Sequence, residues 1–411
     1  MKKKIKSAVF KKVNAFLHLW LGLISGLVVF IVALTGCLFS FQQEITAFKD
    51  HQLLFIKPPS SNTRTLSITK LQNIANQALK GNASFITTFS DPNRSWEFME
   101  YQPGDQNAFW YFNTIKSYQS AFINPYNGKV LGLKDYRQDF FIIIKSIHWS
   151  LLLNDKYGQP IVGYATLIFV VLLISGLILW WPKNLKKANL DKSFRIKWKS
   201  GFKRINYDLH NVLGFYTVFI ALILALTGMV FAMKWFEKTV YTIASQSTTP
   251  PKFISASSDS TQTALKNQLD LAFFTAKNSM PKAQRIGLSL AAGTKSVIYI
   301  SGYTDGETYY NYDQLQFDQY SGKLLNRQNY QDKNNGEKII GMNYDIHVGA
   351  IWGLPGKILM FLVSLVCTSL PVTGLIIWLN KKKNIKLKSQ KIRKSVQHLI
   401  DFKERDASFK G

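Results

Sequence analysis

Four uncharged apolar runs punctuate this chain, at about residues 15–41, 161–181, 209–235 and 351–379. Each is long enough to cross a hydrocarbon core of roughly 30 Å, which takes about 20 helical residues. Between the first two and the last two runs lie polar stretches of about a hundred residues with a different pattern. Each carries a helix-like segment (68–79; 263–276), alternating strand candidates such as 109–113 and 296–300, and a strand–turn–strand unit. The pattern predicts a membrane α-helical four-helix bundle with two α+β loop domains.

The two halves of the chain repeat. Lys12-Val13-Asn14-x-x-Leu17-His18-x-x-Leu21-Gly22 parallels Arg204-Ile205-Asn206-x-x-Leu209-His210-x-x-Leu213-Gly214, and Ala33-Leu34-Thr35-Gly36 parallels Ala225-Leu226-Thr227-Gly228 at the same distance from the histidine. The second and fourth runs agree as well. His148 stands 28 residues before Gly176-Leu177-Ile178-Leu179-Trp180, and His347 stands 27 before Gly374-Leu375-Ile376-Ile377-Trp378. In the loops, Asn124-Pro125-Tyr126-Asn127-Gly128-Lys129-Val130-Leu131 parallels Asp318-Gln319-Tyr320-Ser321-Gly322-Lys323-Leu324-Leu325. Repeat units share a fold, so one architecture is written twice.

Charge sets the expected orientation. Of the 411 residues, 51 are Lys or Arg and 24 Asp or Glu, a net +27, yet segments 1–13, 183–204 and 381–411 hold 26 of the basic residues and only 4 of the acids. By the positive-inside rule these segments face the cytoplasm. The basic balance is thus a topology signal, and no nucleic-acid partner is implied. The predicted organisation is a cytoplasmic basic N-terminus (1–14), a first span (15–41), an external domain (42–147), a histidine segment with the second span (148–182) and a basic loop (183–206). A third span (207–235), a second external domain (236–346), a histidine segment with the fourth span (347–380) and a basic cytoplasmic tail (381–411) follow. The first run is too long for a signal-peptide core and no small-residue cleavage site follows it, so it reads as a retained helix. Cys37 and Cys367, both in apolar runs, supply no disulfide framework and no Cys-x-x-Cys metal site.

Four of the six histidines occupy matched places: His18 and His210 begin the helices that start in the cytoplasm, and His148 and His347 precede those that start outside. Two pairs result, one near each membrane face. Ionisable groups at membrane depth are costly and usually functional, and neutral imidazole is an axial ligand of haem iron in sites built between facing helices. Gly22 and Gly214 lie four residues after their histidines, and Gly36 and Gly228 lie five turns on along the same face, so missing side chains there are expected to make room for a flat macrocycle. Gly176 and Gly374 are expected to do the same at the other end. The competing reading is close helix packing. Asn14 and Asn206 read as helix N-caps. Lys11, Lys12, Lys203 and Arg204 are placed to meet haem propionates, although topology alone accounts for them. Trp20, Trp149, Trp180, Trp181, Trp352 and Trp378 read as an interfacial belt; His51 and His398 have no repeat partner and read as surface residues. Walker, dinucleotide-binding, His-Glu-x-x-His and nucleophile-elbow motifs are missing, leaving hydrolysis and nucleotide chemistry without support.

The Asn-x-x-Leu-His-x-x-Leu-Gly helices, Tyr-x-Gly-Lys-x-Leu turns and Gly-Leu-Ile-x-Trp helix ends resemble the PepSY-associated transmembrane family of iron-regulated bacterial membrane proteins, from about Lys11 to Lys381. The resemblance implies two periplasmic PepSY-like domains over four inner-membrane helices. In one branch it implies siderophore reductases with two bis-histidine b-type haems, which carries over as His18 with His210 for the inner haem and His148 with His347 for the outer. These four histidines are then the metal ligands, with Gly22, Gly214, Gly36 and Gly228 as cofactor-contacting positions. A cytoplasmic flavin reductase domain found in some relatives is missing here, so the electron donor, a quinol or a cytoplasmic flavoprotein, is undetermined. The expected function is reduction of a ferric chelate, foremost a ferric siderophore, at the periplasmic side by electrons passed outward. The rival is a non-enzymatic regulator whose loop domains bind a periplasmic peptidase or transporter.

Overall fold

The structure, a computed structural model, describes residues 2–59, 63–182, 184, 186–251 and 255–408. The outermost residues of the expected basic termini, 1 and 409–411, and residues 183 and 185 of the expected basic loop lie outside the described residues. Four helical segments are long and apolar enough to cross a membrane: Val9–Phe39, Asp155–Trp180, Phe202–Ala232 and Ala350–Lys383. The first belongs to a helix that starts at Lys2, and the fourth to one that continues to Ser408, so the segment expected as a separate tail extends the last helix.

The chain divides into two compact units. One comprises Met1–Ile31, Leu167–Leu222 and Val363–Gly411, and is helical. Its helices pack through small residues: Gly22 lies against Leu172, Gly26 against Pro371 and Gly214 against Leu370, all at van der Waals distance. A leucine side chain of the neighbouring helix thus faces Gly22 and Gly214, which is close helix packing.

The other unit comprises Val32–Thr166 and Ile223–Leu362 and contains the sheet. Its strands are β1 (Phe85–Phe89), β2 (Trp96–Pro103), β3 (Ile115–Ile123), β4 (Val130–Asp135), β5 (Arg285–Ser289), β6 (Val297–Tyr303), β7 (Tyr312–Asp318) and β8 (Leu324–Gln328). They form one antiparallel sheet in the order β4-β3-β2-β1-β5-β6-β7-β8. The two expected loop domains are therefore not separate: β1 and β5 join them in register, with Thr87 opposite Gly287. Separate domains would each have an exposed edge strand at this point, and mutual pairing satisfies both rows of backbone groups.

Strand alternation sorts the side chains. Ile86, Phe98, Leu288, Ile300, Leu315 and Phe317 point to one face and join helices Ile68–Leu79 and Gln268–Ser279 in a single core. The first of these helices shows why it forms: Ile68, Leu71, Ala75 and Leu79 recur at helical spacing on its buried side, and the Ser67 hydroxyl caps it by accepting from the Lys70 N–H. Burying Phe98 and Phe317 completely contributes about 1.5–3 kcal/mol each. The turns β3–β4 and β7–β8 use Gly128 and Gly322 at φ of 74° and 69°, a conformation that disfavours any side chain. One expected strand is absent: residues 109–113 end in a 3-10 turn, Tyr111–Asn113, because the Tyr111 N–H bonds to the Leu152 carbonyl and draws the segment away from the sheet.

Candidate functional site: two imidazole pairs

His18 and His210 meet in the helical unit with ring centres 6.4 Å apart, and His148 and His347 meet in the sheet-bearing unit at 6.0 Å. His148 lies near the end of helix Phe140–Ser150, which is capped by Asp139, and His347 ends helix Asn335–His347, which opens with an Asn334–Glu337 capping box. His210 sits in a five-residue π-helical turn, Leu209–Leu213, a local widening often found at functional positions.

Each imidazole rests in the same kind of seat on a neighbouring helix. His18 Nδ1 is 2.8 Å from Ser175 Oγ, His210 Nδ1 is 2.9 Å from Thr373 Oγ1, and His347 Nδ1 is 2.8 Å from Thr227 Oγ1. His148 Nδ1 is 2.9 Å from the Val32 carbonyl and 3.3 Å from Thr35 Oγ1. These partners assign the protons. A carbonyl only accepts, and each hydroxyl already gives its single proton to a carbonyl of its own helix, at Leu172, Val32, Ile223 or Ser369. For His148 the Val32 carbonyl requires a hydrogen on Nδ1, and with each hydroxyl proton directed to its own helix the other three rings match it, so that Nε2 keeps the lone pair a metal requires.

A glycine follows every one of these hydroxyls. A Cβ on Gly36 would stand 3.0 Å from His148 Cε1, and one on Gly176 or Gly374 would stand 3.2 Å from Cε1 of His18 or His210; on Gly228 the distance to His347 Cε1 would be 3.7 Å. An imidazole edge thus faces each of Gly36, Gly176, Gly228 and Gly374, most tightly at Gly36 and with ordinary contact at Gly228.

A family model described as the PepSY-associated TM region matches residues 15–381. The chain belongs to the PepSY-associated transmembrane family. No curated protein matches it. In this PepSY-associated protein, the asparagines four residues before three of the histidines act between helices: Asn14, Asn206 and Asn343 donate to the carbonyls of Ser175, Thr373 and Thr227, each at 3.0 Å. The N-cap reading of Asn14 and Asn206 is corrected accordingly, since their helices begin upstream, at Lys2 and Phe202.

Two imidazoles on one metal, with bonds of about 2.0–2.1 Å and ring centres about 1.2 Å behind each nitrogen, stand roughly 6.4 Å apart. The observed 6.4 and 6.0 Å suit that arrangement. Among the described residues no three His, Cys, Asp or Glu side chains gather as a bare-ion site. Burial pushes the His148 and His347 imidazoles below their ordinary range, and for His347 the neighbouring His148 adds to it; both rings are kept neutral.

The other expected residues divide. Arg204 is paired with buried Asp208 at 2.8 Å, so its charge is already engaged, while Lys11, Lys12 and Lys203 are exposed. Trp180 is no belt residue: it is buried, stacked on Phe215 at 3.6 Å, and its indole N–H bonds to the Ser193 carbonyl. Trp149 packs on Phe231, which meets the His347 ring at 5.9 Å; Trp20, Trp181 and Trp352 are exposed. His51 stacks on Phe55, and His398 lies outside the described side chains. Sequence reasoning missed the four hydroxyls. Their signal was present as a Ser/Thr-Gly dipeptide at 35–36, 175–176, 227–228 and 373–374.

Proposed function

We propose that this PepSY-associated protein holds two b-type haems in a bacterial inner membrane, one between His18 and His210 near the cytoplasmic face and one between His148 and His347 near the periplasmic face. It would serve outward electron transfer ending in reduction of a ferric chelate, foremost a ferric siderophore, in the periplasm for iron uptake. The observation that carries this reading is the repeated seat: each Nδ1 is engaged by a neighbouring helix, and the rings of His18 with His210 and of His148 with His347 stand close enough that each pair would hold one metal between its Nε2 atoms. A bis-imidazole haem supplies a reversible one-electron couple.

The chain's own residues do the rest. The hydroxyls and carbonyls fix the tautomer and orientation of each ring, as outer-shell partners do at metal sites. The apolar helices keep water from the imidazoles, and the basic segments orient the bundle. Ferric iron is the harder ion, held best by oxygen-rich chelators, so its reduction loosens the complex and gives uptake a chemical purpose.

Absorption spectra of the purified protein, oxidised and then dithionite-reduced, with a pyridine haemochrome assay, test the reading. Two haems per chain are expected, and a value near zero sinks it in favour of a regulator. Vesicles with a donor inside and a ferric chelate outside, read with a colour-forming Fe(II) chelator, test direction: His18→Ala should abolish reduction from the donor side.

A further inference from the structure

The sheet face opposite the helices carries a groove of about 400 Å³ across the β1–β5 seam. Strand alternation builds it. Phe85 and Thr87 of β1, Gly287 and Ser289 of β5, Tyr299, Ser301 and Tyr303 of β6 and Gln314 of β7 all point to this face, and Gly287 leaves the floor low. Its size falls within the roughly 300–1,000 Å³ of small-molecule sites. Three aromatic rings and several hydroxyl or amide groups line it, and no Lys, Arg, Asp or Glu does. The Arg285 guanidinium beside Tyr303 is buried and gives its N–H groups to the Gly306 and Thr308 carbonyls, so an anionic ligand would find no free counter-charge in the lining, whereas an uncharged one loses little on leaving water.

The groove connects to the second imidazole pair through rings. Tyr303, at its edge, meets Tyr309 at 6.0 Å, and Tyr309 meets Tyr344 at 5.4 Å. Tyr344 is three residues before His347 on the same helix, hence on the neighbouring turn. This run of rings is built deliberately. The Arg285 guanidinium lies 4.3 Å from the Tyr303 ring centre and 4.2 Å from that of Tyr309, and its N–H groups donate to the Gly306 and Thr308 carbonyls. The fully buried Asp345 carboxylate accepts from the Tyr309 N–H at 3.0 Å and pins the loop from the other side. In the first half of the chain the matching loop sends Phe109 and Trp110 outward.

We infer that the β1–β5 groove is the docking site for an uncharged ferric chelate, held by Phe85, Tyr299 and Tyr303 and placed at the end of the Tyr303–Tyr309–Tyr344 run leading to His347. This assignment rests on the reductase reading for its choice of ligand. Burial pushes the Tyr303 phenol up, which keeps its hydroxyl protonated as a donor to a chelate oxygen.

The test uses the full-length, haem-loaded protein and gallium(III) complexes, which mimic ferric ones in shape and charge without being reduced. The probes are an uncharged gallium cyclic trihydroxamate and a trianionic gallium tris-catecholate, titrated by calorimetry. The uncharged complex should bind at least ~10-fold more tightly than the trianion, and Gly287→Leu and Ser301→Leu, which fill the groove, should each weaken it by at least ~10-fold. A Cβ at Gly287 meets only the Tyr303 ring edge, at 3.8 Å, so the fold tolerates the change; unaltered haem spectra and melting check this. Binding unchanged in both variants, preference for the trianion, or no binding to the wild type overturns the assignment. A protein that takes up no haem on reconstitution yet binds the uncharged complex in the groove would instead sink the reductase reading and leave the site standing.

Discussion

The glycine seats give the sharpest quantitative test, because two of them serve the same imidazole pair and differ by 0.7 Å. In Gly36→Ala the new methyl stands 3.0 Å from His148 Cε1, whereas in Gly228→Ala it stands 3.7 Å from His347 Cε1. Carbon atoms rest comfortably at about 3.5–4.0 Å, so His148 must retreat by roughly 0.5 Å and His347 need not move. The retreat also stretches the bonds from His148 Nδ1 to Val32 and Thr35, now 2.9 and 3.3 Å. Overpacking of this kind costs about 1–3 kcal/mol, which should lower affinity for the proposed haem at that pair by roughly 5- to 150-fold. Gly228→Ala should stay within about twofold, and it replaces a helix-interior glycine by a residue favoured by up to ~1 kcal/mol. Placing both changes in a His18→Ala background removes the other haem, so the haemochrome signal at limiting haem reports this pair alone. Equal losses in the two variants, or a larger loss for Gly228→Ala, would refute the seat geometry.

His18→Ala and His210→Ala should remove the same haem, and His148→Ala and His347→Ala the other, read as halving of the haemochrome value with distinct residual spectra; loss of both haems from any one of them in otherwise folded protein counts against separate pairs. Ser175→Ala removes the hydroxyl 2.8 Å from His18 Nδ1, which would make the ring a poorer donor to the iron of the proposed haem. The potential of that haem should rise by about 20–60 mV, the equivalent of one hydrogen bond of ~0.5–1.5 kcal/mol, and a redox titration with no upward shift contradicts the assigned tautomer. At Glu100, burial raises the carboxyl's pKa, but bonds from Gln119, Ser117 and Gln102 outweigh it and hold the group below the usual carboxylate range. Its stabilisation is therefore complete above the unfolded value of ~4.3 and lost as pH falls below it. Thermal melts of the full chain should decline over that interval, and Glu100→Gln should melt lower at pH 7 with a flatter acid limb.

The spans and their charge bias were legible because a long apolar run or a cluster of lysines carries its meaning without any tertiary partner. The single sheet was not. Alternation along β1 and β5 tells which side chains share a face, but Thr87 and Gly287 are two hundred residues apart, and nothing in either strand names the other as its neighbour. Residues 109–113 failed for the opposite reason: their β-prone composition was overruled by bonds to Leu152 and Asn154. Trp180 carries the composition of a belt residue, and only the fold reveals Phe215 lying flat against it.

The candidate site was half legible, and the division follows from what a helix can present. A histidine repeated at four matched places announces itself by residue type. Its seat consists of a carbonyl, a hydroxyl three residues later and a bare Cα one residue after that, which fall together on one turn of the neighbouring helix. Two of these three components leave no distinctive side chain in the sequence, since any residue has a carbonyl and glycine in an apolar helix is commonplace. The hydroxyl decides the matter: at membrane depth a Ser or Thr that gives its proton to its own helix still has acceptor lone pairs, and the Nδ1–H of an imidazole is the group that needs one. The same requirement explains why serine serves once and threonine three times with equal effect, since both offer one proton and spare lone pairs. It also explains why three of the four histidines carry an asparagine one turn earlier, tying the two helices at the carbonyl of the seat residue itself. His148 has Ile144 in that place, and the seat that lacks the asparagine brace is the one with the least room at its glycine, where a Cβ would stand 3.0 Å from the ring.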